Sequence, residues 1–156
     1  MKKAIYLTLT LLTIVSCSKS TIDELPIPSE EQVVILDNNF EKRLIELGID
    51  SDGSINHLIL KSDAEKVTKL SLYNEGINSL SGIESFTNLK RLYADANNLT
   101  TIDLSNNTLL DTISLTSNRL TKVQGVEKAK NLIWLSLSWN YFTEFTLDND
   151  NVKNFL

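Results

Sequence analysis

The sequence predicts a short α/β solenoid of about four repeats with parallel strands, a helical cap at its N-terminal end and a convex side of mostly 3₁₀ or extended chain. Three observations carry that prediction. The pairs Leu70-x-Leu72, Leu92-x-Ala94, Ile113-x-Leu115 and Leu135-x-Leu137 recur at intervals of 22, 21 and 22 residues. A second apolar column follows at Ile77, Leu99, Leu120 and Phe142, and the column two places before it holds Glu75, Asn97, Asn118 and Asn140. The interval itself is short: it has room for one strand and a tight return but not for a full α-helix on the convex side.

Taken in order, the chain opens on MKKAIYLTLTLLTIVS, in which Lys2 and Lys3 precede a mostly apolar run from Ala4 to Val15. A membrane-spanning helix needs about 20 apolar residues, so residues 1–16 read as a cleaved export signal. The only cysteine follows. An exported chain with one cysteine cannot form an internal disulfide, and Ile14-Val15-Ser16-Cys17 resembles the lipobox of bacterial lipoproteins. That resemblance implies a lipid on the Cys17 thiol, cleavage before it and acylation of the new N-terminus; two or more acyl chains give stable membrane attachment where one is marginal. Ser18 rather than Asp after the cysteine resembles the arrangement that permits passage to the outer membrane, with the leaflet left open.

Loss of Lys2 and Lys3 takes the formal charge from −5 to −7, so the attachment gains nothing from charge on an anionic bilayer. Residues 17–29 then read as the lipidated cysteine and a semi-extended tether. SKSTIDELPIPS carries two prolines and no apolar period, and its reach is at most about 40 Å.

Residues 30–66 read as an N-terminal cap. Asn39-Phe40-Glu41-Lys42-Arg43-Leu44-Ile45-Glu46-Leu47-Gly48 has Asn39 in the capping place, apolar residues at 40, 44 and 47 and a closing glycine, which predicts one amphipathic helix. The next segment invites a calcium reading, because Asp50, Asp52, Gly53 and Ile55 match positions 3, 5, 6 and 8 of an EF-hand loop. Positions 1 and 12 would be Gly48 and Ile59, which lack the carboxylates that supply much of the binding. A polar turn is expected instead, with Asp63 able to replace the missing ligand only in a distorted loop.

Residues 67–156 hold the repeats. Alternate apolar residues point one face of each short strand into a core, and each repeat supplies the parallel neighbour of the next, near residues 69–73, 91–95, 112–116 and 134–138. The asparagine that follows each strand can satisfy backbone groups of the turn. The text LKRLYADANNLTTIDLSNNTLLDTISLTSNRLT resembles the leucine-rich repeat, L-x-x-L-x-L-x-x-N-x-L, with Glu75 departing from it at the end of the stack. Ile102 to Leu109 is similar to the linking segment of a bacterial subtype, and Leu80-Ser81-Gly82-Ile83-Glu84-Ser85-Phe86-Thr87-Asn88-Leu89 to the internalin-type linker. The resemblance implies a short horseshoe whose leading segment is a structural cap. At the far end, aligning Leu147 with Leu104 sets Leu156 opposite Ile113, where the first core residue of a fifth strand belongs. An improvised cap made by NVKNFL, or a truncated frame, is preferred over an edge used for association, because the final turn is polar. A monomer is therefore expected.

The composition narrows function. A formal charge of −5 with no basic run beyond Lys2-Lys3 argues against a nucleic-acid surface. His57 is the only histidine and Cys17 is expected to carry lipid, so neither a Cys–His pair nor a His-rich metal cluster can be assembled, and with Asp95 the only acid among the outward strand positions no two-carboxylate site is expected; no cofactor motif or catalytic residue is found. An enzyme is not expected. Period-two alternation turns Lys69, Ser71, Tyr73, Arg91, Tyr93, Asp95, Thr112, Ser114, Thr116, Trp134, Ser136 and Ser138 outward onto the concave sheet. Trp139 follows the strand, where parity fails, so it either edges that surface or tucks under the loop. Aromatics beside arginine are the composition of an interface, which makes Tyr73, Arg91, Tyr93, Asp95, Trp134 and Trp139 the expected ligand-binding residues. The partner would be a protein; a glycan stacked on the rings, or an adhesive envelope role without one ligand, are the alternatives.

Overall fold

The structure is a computed structural model, and it describes residues 30–143 together with the backbone of residues 154 and 155. The export signal, Cys17, the tether, Leu147 and Leu156 lie outside the described residues. Strand β1 (Gln32–Val34) leads into helix α1 (Asn38–Glu46), followed by β2 (Leu58–Leu60) and the short helix α2 (Lys61–Lys66). β1 and β2 pair antiparallel, which joins the two ends of this leading segment into one unit around α1.

Helix α1 buries Phe40 and Leu44 as its spacing requires, but its N-cap is Asp37 rather than Asn39. One Asp37 oxygen accepts from the backbone N–H groups of Asn39 and Phe40 at 2.9 and 3.1 Å, while the other accepts from those of Asn78 and Ser79 in the first repeat. A carboxylate does this better than an amide because it also complements the positive end of the helix dipole. Burial alone would raise its pKa, and the hydrogen bonds from Asn78, Phe40 and Ser79 outweigh that and hold it low.

The repeats form as the spacing demands. Strands β3 (Lys69–Ser71), β4 (Arg91–Tyr93), β6 (Thr112–Ser114) and β8 (Trp134–Ser136) pair in parallel, with Leu70, Leu92, Ile113 and Leu135 in one register row, linked by three complete turns. All four are fully buried, as are Leu72, Ala94 and Leu115. Each such leucine contributes roughly 1.5–3 kcal/mol by leaving water. Short 3₁₀ turns at Ile83–Ser85 and Val126–Lys128 make part of the return limb. The rest of that limb holds an element the sequence reading did not foresee: β5 (Thr101–Asp103) and β7 (Lys122–Gln124) pair in parallel as a second sheet.

A fifth strand also exists. β9 (Asn154–Phe155) runs parallel to β8 with Phe155 in register with Leu135, so residues 154–155 extend the sheet and do not fold back over it. The expected register, with Leu156 in that row, is corrected by one residue. The interval from Leu135 to its register partner is one residue shorter than a partner at Leu156 would require.

The asparagine column explains both the tight turns and the odd residue at 75. Asn97 accepts from the N–H groups of Glu75 and Ile77 at 3.2 and 3.0 Å and donates to the carbonyls of Leu72 and Ala94 at 2.6 and 3.1 Å. Asn118 accepts from Leu99 N–H and donates to Ala94 and Leu115, and Asn140 accepts from Leu120 N–H and donates to Leu115 and Leu137. Every one of them reaches back to the preceding turn. At position 75 the preceding unit is the cap, and Arg43 of α1 takes over: its Nε lies 3.1 Å from the Glu75 carboxylate and donates to Ser71 carbonyl at 3.3 Å.

Candidate concave binding face

The sheet fixes the outward side chains by register. Lys69, Arg91, Thr112 and Trp134 form one row across the strands, and Ser71, Tyr93, Ser114 and Ser136 form the next. Strands lie about 4.8 Å apart, so Arg91 and Tyr93 on β4 stand roughly 10 Å from Trp134 on β8, with only small hydroxyl residues of β6 between them. The result is a shallow trough with a polar floor. The floor is internally bonded: Ser114 hydroxyl and Thr116 N–H donate to one Asp95 oxygen at 2.6 and 2.8 Å, and the Thr116 and Ser136 hydroxyls lie 2.7 Å apart. Asp95 is thus held in place, with its second oxygen unengaged by any bond among the described residues.

The expected binding residues are all described. Tyr73 is 65% exposed and Trp134 39%, Arg91 is exposed, and Tyr93 and Asp95 are half-buried. Lys69 extends its ammonium over the Tyr93 ring, 5.5 Å from the centroid.

Trp139 answers the question its parity left open. It is 83% exposed, not tucked under the loop. Its φ is +58°, and the equivalent residues Asn74, Ala96 and Ser117 have φ of +56°, +57° and +57°. Each turn therefore places one left-handed residue directly before the asparagine column, a conformation in which a bulky side chain is rare. The largest side chain of the chain occupies a position that favours the smallest, and gains no burial for it. Such local strain, of order 1–3 kcal/mol, is characteristic of binding sites.

Sequence reasoning missed Tyr141, which is 65% exposed and lies beyond Trp139 in the same turn. A signal existed: Asn140 and Phe142 both belong to inward columns, and the residue between two inward neighbours must point out. One hollow of about 470 Å³ borders Ser79, Glu84, Thr101 and Asp103 on the return limb, and one of about 600 Å³ borders Leu47, Ile49 and Val67 beside the cap and reaches Lys69 and Ser71 at the β3 edge of the concave face. None of the exposed aromatics lines either, so around the rings the face is an open surface.

The segment with the partial EF-hand match is built as a polar turn. Asp52 accepts from Ser54 N–H and Asn56 side-chain N–H, and Asp63 accepts from Ser51 N–H and the Lys66 ammonium. Burial first, then the neighbouring Asp52 charge, pushes the Asp50 carboxyl above its ordinary pKa. Among the described residues no group of three or more His, Cys, Asp and Glu is arranged to hold a metal ion.

No protein-family model matches the chain, and no curated protein matches it. Solved structures do. The functional domain of InlJ from Listeria monocytogenes, which includes a cysteine ladder, is similar over 82% of this chain at 26% identity and a TM-score of 0.70. An internalin, InlF, from the same organism is similar over 71% at 25% identity and a TM-score of 0.62. The present chain spans only 28% and 32% of those two chains. Its fold is the parallel-strand solenoid of the leucine-rich repeat, in the form that internalins share.

Proposed function

We propose that the chain is a lipid-anchored envelope protein that binds a protein partner through the concave face of its solenoid, without catalysis. The observation that carries the reading is the placement of Trp139: an exposed indole on strained backbone, in a turn that also exposes Tyr141 and that follows the strand carrying Trp134. Large aromatics bury much area with few freely rotating bonds, and arginine adds a planar guanidinium with five donors, so these residues supply much of the energy of an interface. The likeness of the fold to the InlJ and InlF solenoids supports an interaction role in the general sense. The hydroxyl floor around Asp95 favours a second reading, a glycan whose sugar faces stack on the rings.

Replacing Trp139 with Gly separates these side chains from the fold. Relief of the left-handed strain should raise stability by about 1 kcal/mol in urea melts. The same substitution combined with Trp134→Ala should reduce capture of a partner from the native envelope at least tenfold. Undiminished capture would remove the concave face from the proposal, and glycan-array binding without any captured protein would replace it with the second reading.

The anchor rests on the lipobox-like text at Ile14-Val15-Ser16-Cys17, and the outer membrane on Ser18. Metabolic labelling with a fatty acid should be lost in Cys17→Ala. Label retained by that variant would place the lipid elsewhere, and an unlabelled parent would deny it.

A further inference from the structure

The concave face is not uniform in charge, and its charge is opposite to that of the whole. The chain carries a formal charge of −5, yet the first row opens with Lys69 and Arg91 paired in register on adjacent strands. Like charges directly opposite one another weaken a sheet. Neither side chain forms an ion pair among the described residues, a condition they share with Lys90, Arg119, Lys122 and Lys128, but only these two stand side by side in one row of the sheet. The ring of Tyr93 under the Lys69 ammonium stabilises that cation without neutralising it. Two cations therefore face solvent together at one end of the trough.

Resting on the protein-binding reading, we infer that this end receives a carboxylate from an acidic residue of the partner, and that the same partner segment sets an aromatic or proline side chain on Trp134. The geometry fixes the spacing. Arg91 and Trp134 share a row and are two strands apart, roughly 10 Å. A polyproline-type segment returns to the same face every three residues, about 9 Å along its axis. The recognised element is an acidic residue followed or preceded at three positions by an apolar ring. The guanidinium of Arg91 suits a carboxylate, which it can grip with two parallel N–H donors.

A polyanion fits the face less well. Asp95 lies four residues beyond Arg91, two past the end of β4 and about 13 Å away along the extended chain, fixed by Ser114 and Thr116. A sulfated glycan running along the trough would bring its next charges against that carboxylate, while a single acidic side chain stays at the cationic end.

The test uses the full chain in detergent, panned against a displayed library of random twelve-residue peptides. The selected peptides should be enriched in Asp or Glu three places from Phe, Tyr, Trp or Pro. A synthetic copy of one should bind at least tenfold more weakly to Lys69→Gln/Arg91→Gln and to Trp134→Ala, and its affinity should fall with added salt in the parent only. Both cations are exposed, so circular dichroism should show the double variant folded; Lys69→Arg, which keeps the charge and leaves Arg91 in place, should retain binding within about threefold. Peptides that need Trp134 but show no acidic enrichment would overturn this inference and leave the protein-binding reading standing. An acidic preference that survives Lys69→Gln/Arg91→Gln would overturn it too, as would a heparin fragment that outcompetes the peptides. A library that yields no peptide sensitive to Trp134→Ala would bring down both.

Discussion

Gly125→Ala should cost about 3 kcal/mol or more, a large share of the 5–15 kcal/mol that holds a domain of this size together. Gly125 stands at the end of β7 with φ of +80°, and a Cβ built there would lie 2.2 Å from Ser105 N, 2.4 Å from its Cα and 2.6 Å from the Leu104 carbonyl carbon. All three obstructing atoms are backbone, and they belong to the preceding turn at the point where Leu104 N–H donates to Gln124 carbonyl. Relief would require the two turns to move apart and the second sheet to open. Gly53→Ala is the control. Its φ is +67° and nothing lies within 4 Å of the added carbon, so it should lose only the left-handed penalty of about 1–2 kcal/mol. Urea midpoints of the two variants measured side by side check the difference; equal losses would mean that the turns are free to separate at Leu104.

Asn118→Ala should cost about 3–4 kcal/mol. The side chain is buried and links the N–H of Leu99 with the carbonyls of Ala94 and Leu115, so its removal strands three backbone groups that water reaches poorly. Asn140→Ala should cost less, because Asn140 is only half-buried and water can replace part of what is lost. Asn118→Asp should be the worst of the three. It keeps the acceptor for Leu99 but turns a negative oxygen toward two carbonyls. A ranking in which Asn118→Asp is milder than Asn118→Ala would contradict the assigned orientation of the amide.

The strands and their register were legible because three columns, two apolar and one of asparagine, repeat at nearly constant intervals, and constant intervals leave a parallel sheet one way to pair. Glu75 was legible only as a departure; that it meets Arg43 of the cap depends on a contact between residues 32 positions apart, which no local pattern encodes. The shift of the N-cap from Asn39 to Asp37 has the same origin, since the second oxygen of Asp37 is used by Asn78 and Ser79, far along the chain. The second sheet was missed because Thr101–Asp103 and Lys122–Gln124 are three-residue segments with one inward side chain each, too short to show a period. On the concave face, alternation placed Tyr73, Tyr93 and Trp134 correctly as outward residues. It failed at Trp139, where a left-handed residue ends the alternation, although the asparagine immediately after it marks the place in every turn.

The asparagines also give the solenoid an order in time. Asn97 completes the turn that contains Glu75 and Ile77, Asn118 the turn that contains Leu99, and Asn140 the turn that contains Leu120. Each amide is made after the backbone it serves, because synthesis runs from the N-terminus. A turn that emerges N-terminus first, from the ribosome or through an export channel, therefore has its strand and its apolar columns but not the partner for its own loop, and it acquires that partner only when the following turn arrives some twenty residues later. The cap, with Asp37 and Arg43 already in place, is the exception that lets the series begin: the first repeat emerges onto groups waiting for it, and every later one closes the turn made before it.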